Sequence, residues 1–198
     1  MTIPTAHQPA PKRGAGVIPF AVHDGLVNFL FQITFSGRKC GYLIDFGGGS
    51  DAGEDARATA IREFVEETET MYFATDLQKA HRSDAAIRRQ ASLVAGLFEK
   101  TLKTEPGWCC RRRSKNAAKP KDWNTFFIEF PFRDVEPLNR QWESGVSGRF
   151  KKRRELVWIS GDELLTLYSD QADRLWKRVR QLENAPKIVA EIIDRRHA

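Results

Sequence analysis

Long apolar runs are missing from this chain of 198 residues. A bilayer-spanning helix needs about 20 consecutive apolar residues, so no membrane-spanning helix is expected. Cysteine is scarce: Cys40, Cys109 and Cys110 are the only three. An odd count with one adjacent pair offers no disulfide framework and points to a reducing, cytoplasmic setting. Histidine is equally sparse, at four residues, and no Cys/His spacing resembles a zinc site. There is no internal repeat, no domain linker, and no further glycine-rich nucleotide fingerprint beyond the stretch described below. Residues 1–14 are Pro-rich and polar and lack the apolar core of a secretory signal. They read as a flexible lead-in to one domain over residues 15–198.

What is present suits a soluble globular domain. Hydrophobic residues make up 41% of the chain, enough at this length for one sizeable core. The net charge of +6 and a pI near 9.4 favour anionic ligands, although mild basicity is also common in ordinary soluble proteins.

The most informative stretch is Gly48-x5-Glu54-x7-Arg62-Glu63-Phe64-Val65-Glu66-Glu67, preceded by Gly47. Asp55 is a good N-cap, and Ala56, Ala58 and Ala60 are strong helix formers, so the spacing predicts a helix over 56–68. Ala58, Ile61, Phe64 and Val65 share one face, to be buried on a sheet. Glu63, Glu66 and Glu67 gather on the other face. Like charges at that spacing destabilise a helix by roughly 0.2–0.5 kcal/mol per pair, and a divalent cation is the simplest compensation. Mg2+ prefers oxygen ligands and is held by one or two carboxylates plus phosphate oxygens. Gly47, Gly48 and Gly49 let the backbone approach a metal or phosphate closely. Glu54 and Arg62 bracket the helix start as a supporting ion pair. The competing reading is an acidic, solvated helix face, which the retention of every spacing disfavours.

The stretch resembles the Nudix box, matching it at Gly48, Glu54, Arg62, Glu63, Phe64, Glu66 and Glu67. It departs at the end, where Glu69 replaces the second glycine and Thr70 the last apolar residue. The resemblance implies an α/β/α sandwich with a mixed sheet. It also implies Mg2+- or Mn2+-dependent hydrolysis of a diphosphate linkage, usually in a nucleoside diphosphate derivative. Carried over residue by residue, it makes Glu66 and Glu67 metal ligands and Glu63 a ligand or general base. The Gly48 carbonyl completes the shell, and Arg62 orients through Glu54. At the altered exit, the reading favours a helix that runs on past Thr68.

Along the rest of the chain, residues 16–22 read as a strand, with Pro19 arguing for an edge or a bulge. His23-Asp24-Gly25 is a turn into a second strand over 26–35, where Phe29, Phe31, Ile33 and Phe35 share one face. Residues 36–39 form a loop in which Arg38 faces solvent or a ligand. Residues 42–46 and 71–75 read as short strands. Residues 77–122 form an insertion: an amphipathic helix over 85–102, then a basic loop over 107–121. In that loop Arg111, Arg113 and their neighbours either steer an anion or are simply solvated. Residues 123–130 read as a central strand carrying Glu129, a candidate additional acid. Residues 131–150 read as a loop with Trp142, a candidate base-stacking ring, and Glu143, a candidate activator of water. For each, an anchor or surface role is the alternative. A strand over 155–159 and helices over 161–168, 170–182 and 186–196 complete the chain.

Three functions follow. The first is hydrolysis of a nucleoside diphosphate derivative or a dinucleoside polyphosphate. The second is hydrolysis of RNA 5′ ends, which the basic runs permit. The third is a non-catalytic Nudix-fold module that binds nucleotide or RNA. The partner is then a small-molecule diphosphate or RNA, without a membrane, and a homodimer is in keeping with the family.

Overall fold

A computed structural model describes residues 12–80, 83–113, 121–145, 150 and 152–197. Its central strand is β1 (Lys12–His23). Asp24 and Gly25 both have positive φ, at 50° and 76°, as a tight two-residue hairpin requires. They turn the chain into β2 (Leu26–Thr34), which runs antiparallel to β1. The strand β3 (Phe46–Gly49) pairs antiparallel with the first half of β1. The box helix α1 (Ala56–Glu67) and the long α2 (Asp84–Thr104) follow. Next come β4 (Cys109–Arg113), β5 (Lys121–Glu129), α3 (Glu136–Glu143) and β6 (Arg154–Ser160). The chain closes with α4 (Gly161–Asp170), the single turn α5 (Lys177–Arg180) and α6 (Ala185–His197).

The sheet order is β4-β5-β1-β2-β6, with β3 attached to β1. The β1–β5 pair is parallel and the others are antiparallel, so the sheet is mixed. The central strands are buried on both faces, which explains their nearly unbroken apolar runs. Ala15, Val17, Leu30, Phe126 and Ile128 face one core with α1, α2 and α3, through Phe64, Val94 and Trp142. Ile18, Phe20, Phe29, Phe31 and Phe127 face the other with α4, α5 and α6, through Leu164, Val179 and Val189. This is the α/β/α sandwich the sequence implied.

Several local expectations are corrected. Residues 12–14 belong to β1 and not to a lead-in; the remainder of that segment lies outside the described residues. Pro19 is interior to the sheet. It falls between the residues of β1 paired with β3, which end at Val17, and those paired with β2, which begin at Phe20. A missing N–H is tolerated at such a break. The expected 42–46 strand is displaced: residues 43 and 44 make isolated bridges, and the glycines themselves form β3. Residues 71–75 are turns, not a strand. The basic loop is in part β4, an edge strand on β5; residues 114–120 lie outside the described residues. The 131–150 loop contains α3, started by Pro137 in its first turn and held by buried Leu138 and Trp142 at i and i+4. The expected 170–182 helix is broken into a 3-10 turn, Ala172–Arg174, and α5. Phe35 lies beyond the end of β2 and is exposed.

The helix exit also differs. Helix α1 stops at Glu67, and Glu69 and Thr70 take positive φ, at 52° and 59°. The Thr70 N–H donates to the Val65 carbonyl at 3.1 Å, and the Thr68 hydroxyl donates to the Phe64 carbonyl at 2.8 Å. The chain therefore keeps a left-handed exit without glycine. Tertiary packing decides this: Thr68, Glu69 and Thr70 are all buried, and Gln90 of α2 donates to the Thr70 carbonyl.

Candidate active site at the carboxylate helix

Helix α1 begins at Asp55, whose carboxylate accepts from the Ala58 N–H at 2.8 Å. Its apolar face is not quite the expected one. Phe64 and Val65 are buried with Thr59 and Ala60, while Ala58 is exposed. Burying that face on β1 and β3 aims Arg62, Glu63, Glu66 and Glu67 along the glycine strand.

Arg62 is the hub. Its Nε donates to Glu54 Oε1 at 2.8 Å and its Nη2 to Glu54 Oε2 at 3.0 Å, a two-pronged pair. Nη2 also donates to the Gly49 carbonyl at 2.8 Å. Nη1 reaches Glu63 Oε1 at 2.9 Å and Glu66 Oε2 at 3.4 Å. The expected Glu54–Arg62 pair is thus present and ties the helix to the loop before it. Hydrogen bonding to Arg62 holds the Glu54 carboxyl down to about 2, and hydrogen bonding to Glu54 raises the guanidinium's own pKa. Arg62 stays charged and cannot act as a base.

Glu63 lies against Gly48. A Cβ built on Gly48 would come within 2.2 Å of Glu63 Oε1, so the glycine is required here for close approach. Burial pushes the Glu63 carboxyl up, Arg62 pulls it down, and the charges of Glu67 and Glu66 push it up again.

Glu67 is held differently. Its Oε2 accepts from Gln32 Nε2 at 2.6 Å and from the Gly47 N–H at 2.8 Å. Its Oε1 accepts from Arg154 at 3.2 Å, and Arg154 also donates to Gln32 Oε1. A second brace lies behind β3. The Asp45 side chain is fully buried, and its Oδ1 accepts from Arg178 Nε at 2.8 Å and Nη2 at 2.6 Å. Arg178 Nη2 also donates to the Gly47 carbonyl at 3.1 Å.

Sequence reasoning missed Gln32, Asp45, Arg154 and Arg178. Gln32 left a signal, as a lone amide inside the apolar strand FLFQITF, because a buried polar group needs partners. Arg154 and Arg178 sit in basic runs where nothing marks them out from their neighbours.

The other candidates whose side chains are described are not brought to the helix. Arg38 is exposed on the 3-10 turn Gly37–Lys39. Arg111 pairs with Asp122 on the neighbouring strand, at 2.5 Å. Arg113 ends β4, its backbone opposite Asp122. Strand alternation puts Glu129 with Phe127, on the sheet face away from α1. Trp142 is 4% exposed and packs near Phe150, so it anchors the core and offers no open stacking face. Glu143 is exposed and pairs with Arg153 at 2.8 Å.

In donor chemistry the helix suits a hard divalent cation. Asp51, Glu54, Glu63, Glu66 and Glu67 are five carboxylates, and among the described residues their ion pairs are made with two guanidinium groups, Arg62 and Arg154. The surplus is anionic, built of oxygen donors, and open to solvent at Glu66, whose side chain is 35% exposed. Among the described residues no three acidic, His or Cys side chains already converge on one point.

No protein-family model and no curated protein matches this chain. Solved structures do. The chain is similar to an Ap4A hydrolase from C. elegans, at 16% identity over 93% of this chain and 99% of that one, with a TM-score of 0.48. It is similar to the Nudix hydrolase RenU from M. Smegmatis, at 14% identity over 91% and 88%, with a TM-score of 0.47. It is also similar to the NUDIX domain of Shewanella oneidensis NrtR in complex with ADP ribose, at 11% identity over 93% and 90%, with a TM-score of 0.43. These neighbours are Nudix proteins.

Proposed function

We propose that the chain is a Nudix-type, divalent-metal-dependent hydrolase. It cleaves a diphosphate linkage in a nucleoside diphosphate derivative or a dinucleoside polyphosphate. The observation that carries this reading is the carboxylate cluster joined through Arg62 and pressed against Gly48. A helix with a merely solvated acidic face has no need of a glycine at that contact, nor of a guanidinium committed to Glu54, Glu63 and Glu66 together.

In this reading Glu63, Glu66 and Glu67 would hold Mg2+ or Mn2+, with the Gly48 carbonyl as a further oxygen donor. Bound there, such a cation would supply charge neutralisation for the diphosphate and a more acidic water. The protein's own contribution is positioning. Arg62 orients Glu63 and Glu66 and stays protonated because Glu54 takes two of its donors. Gln32, Arg154 and the Gly47 N–H fix Glu67. Burial raises the proton affinity of Glu63, which suits a group that accepts a proton from water.

The test is a panel of nucleoside diphosphate derivatives, dinucleoside polyphosphates and capped or 5′-triphosphate RNA. Released phosphate and nucleoside monophosphate are counted with Mg2+, Mn2+ or EDTA. Metal-dependent turnover of a small diphosphate, lost in Glu63→Gln and Glu66→Gln, is the expected result. Preference for RNA ends would favour the second function named above. Tight nucleotide binding without turnover would favour the binding module.

A further inference from the structure

A cavity of about 390 Å3 opens beside the glycine strand, between the start of β1, the β4–β5 edge and the turn into α5. Pockets for small ligands begin at about 300 Å3, so it can take a nucleotide. Among the described residues its wall carries Lys12, Arg13, Arg112, Lys121, Lys177 and Arg178 and no acidic residue. Arg178 is committed to Asp45. The other five make no ion pair among the described residues. Five unpaired cations around one concavity repel one another, and an anion in their midst offsets that repulsion.

Two indoles share the wall, Trp123 and Trp176. Trp123 is locked in place. A Cβ on Gly14 would lie 2.5 Å from its ring and one on Gly47 3.0 Å away, and the Arg178 guanidinium covers it at 4.0 Å from the ring centroid. Trp176 is half-buried and braced edge-on by Tyr42 at 5.5 Å. A solvated basic face has no use for two fixed aromatic rings. Gly49 belongs to the same wall, and its carbonyl accepts from Arg62. The cavity and the carboxylate helix therefore meet on β3.

We propose that this cavity is a binding site for a nucleoside polyphosphate, with the base on Trp176 and a chain of three or more phosphates among Lys12, Arg13, Arg112 and Lys121. The proposal rests on the hydrolase reading for its place beside the carboxylates, and it narrows the substrate. A nucleoside diphosphate joined to a neutral sugar would leave several of these cations unmatched. A polyphosphate chain matches them. Arg112 and Lys121 then act as specificity determinants, supplied by the insertion and the strand that follows it.

The test is calorimetric titration of the full chain in EDTA with ATP, AMP and inorganic tripolyphosphate, so that turnover plays no part. ATP is expected to bind at least about tenfold tighter than AMP, because only it spans the basic wall. Arg112→Gln/Lys121→Gln, a change at two surface positions that leaves the cores intact, should weaken ATP by about tenfold or more. Trp176→Leu should weaken ATP by about tenfold and leave tripolyphosphate unchanged; Trp176→Phe should restore most of the loss. Unaltered ATP affinity in the double variant overturns the site. Equal affinity of wild-type protein for ATP and tripolyphosphate overturns the nucleotide assignment. ATP binding that depends on these residues without turnover of any substrate would remove the hydrolase reading and keep this site. Turnover with binding indifferent to them would do the reverse.

Discussion

Replacing Gly48 by alanine separates the chemistry of the site from its scaffold. Gly48 is in β3 and does not have a positive φ, so alanine can adopt its backbone. What it cannot do is leave Glu63 where it is. The new Cβ would lie 2.2 Å from Oε1, 2.3 Å from Cδ and 2.5 Å from Oε2. These atoms end a flexible side chain, so the carboxylate swings away and the strand stays. Swinging it breaks the 2.9 Å bond to Arg62, and hydrogen bonds to charged groups contribute roughly 1.5–3 kcal/mol. Replacing glycine in a strand returns roughly 0.5–1 kcal/mol. The net destabilisation is about 0.5–2.5 kcal/mol, or a Tm lower by roughly 1–10 °C at this chain length. Catalysis should suffer far more, since a misplacement of about 1 Å can cost roughly 100-fold. Gly96→Ala is the matched control. Gly96 lies exposed in α2 with nothing within 4 Å of an added Cβ, so this variant should gain roughly 0.5–1 kcal/mol and keep full turnover. Thermal melts and single-turnover kinetics on any accepted substrate measure both quantities. Turnover of Gly48→Ala within about threefold of wild type, against the roughly 100-fold loss anticipated, would refute the assignment of Glu63.

Two further predictions concern the braces. Asp45 is fully buried and Arg178 nearly so, and removing one partner of such a pair costs about 3–5 kcal/mol by leaving a lone buried charge. Arg178→Gln should therefore unfold at a much lower urea concentration, and adding Asp45→Asn should recover at least about 1 kcal/mol; strictly additive effects would show that the pair is not coupled. Glu54 supplies a pH signature. Its folded pKa of about 2 lies below its ordinary 4.5 because of Arg62, so its stabilisation is present above pH 4.5 and is lost as pH falls toward 2. Glu54→Gln should be less stable at neutral pH and show a shallower loss across that window in urea titrations. Parallel curves for the two proteins would place the acid sensitivity elsewhere.

The sequence alone determined what local periodicity can encode. The spacing of Phe64 and Val65 against Glu63 and Glu66 oriented α1, and Asp55 capped it. Asp24-Gly25 made the hairpin turn, and the apolar stripe over 87–102 made α2. Such features depend on neighbours within a turn or two of the chain, so they are legible before any fold is known. The tertiary structure decided the rest. Trp142 looked like a ring for stacking and is buried in a core that only the packing of α3 creates. Glu69 and Thr70 hold a left-handed exit that their own preferences oppose, because burial against α2 outweighs local cost. Arg154 reaches Glu67 across 87 positions and Arg178 reaches Asp45 across 133. No spacing rule spans such separations: in sequence these arginines are indistinguishable from the basic residues beside them, and only the folded chain chooses which one meets a carboxylate.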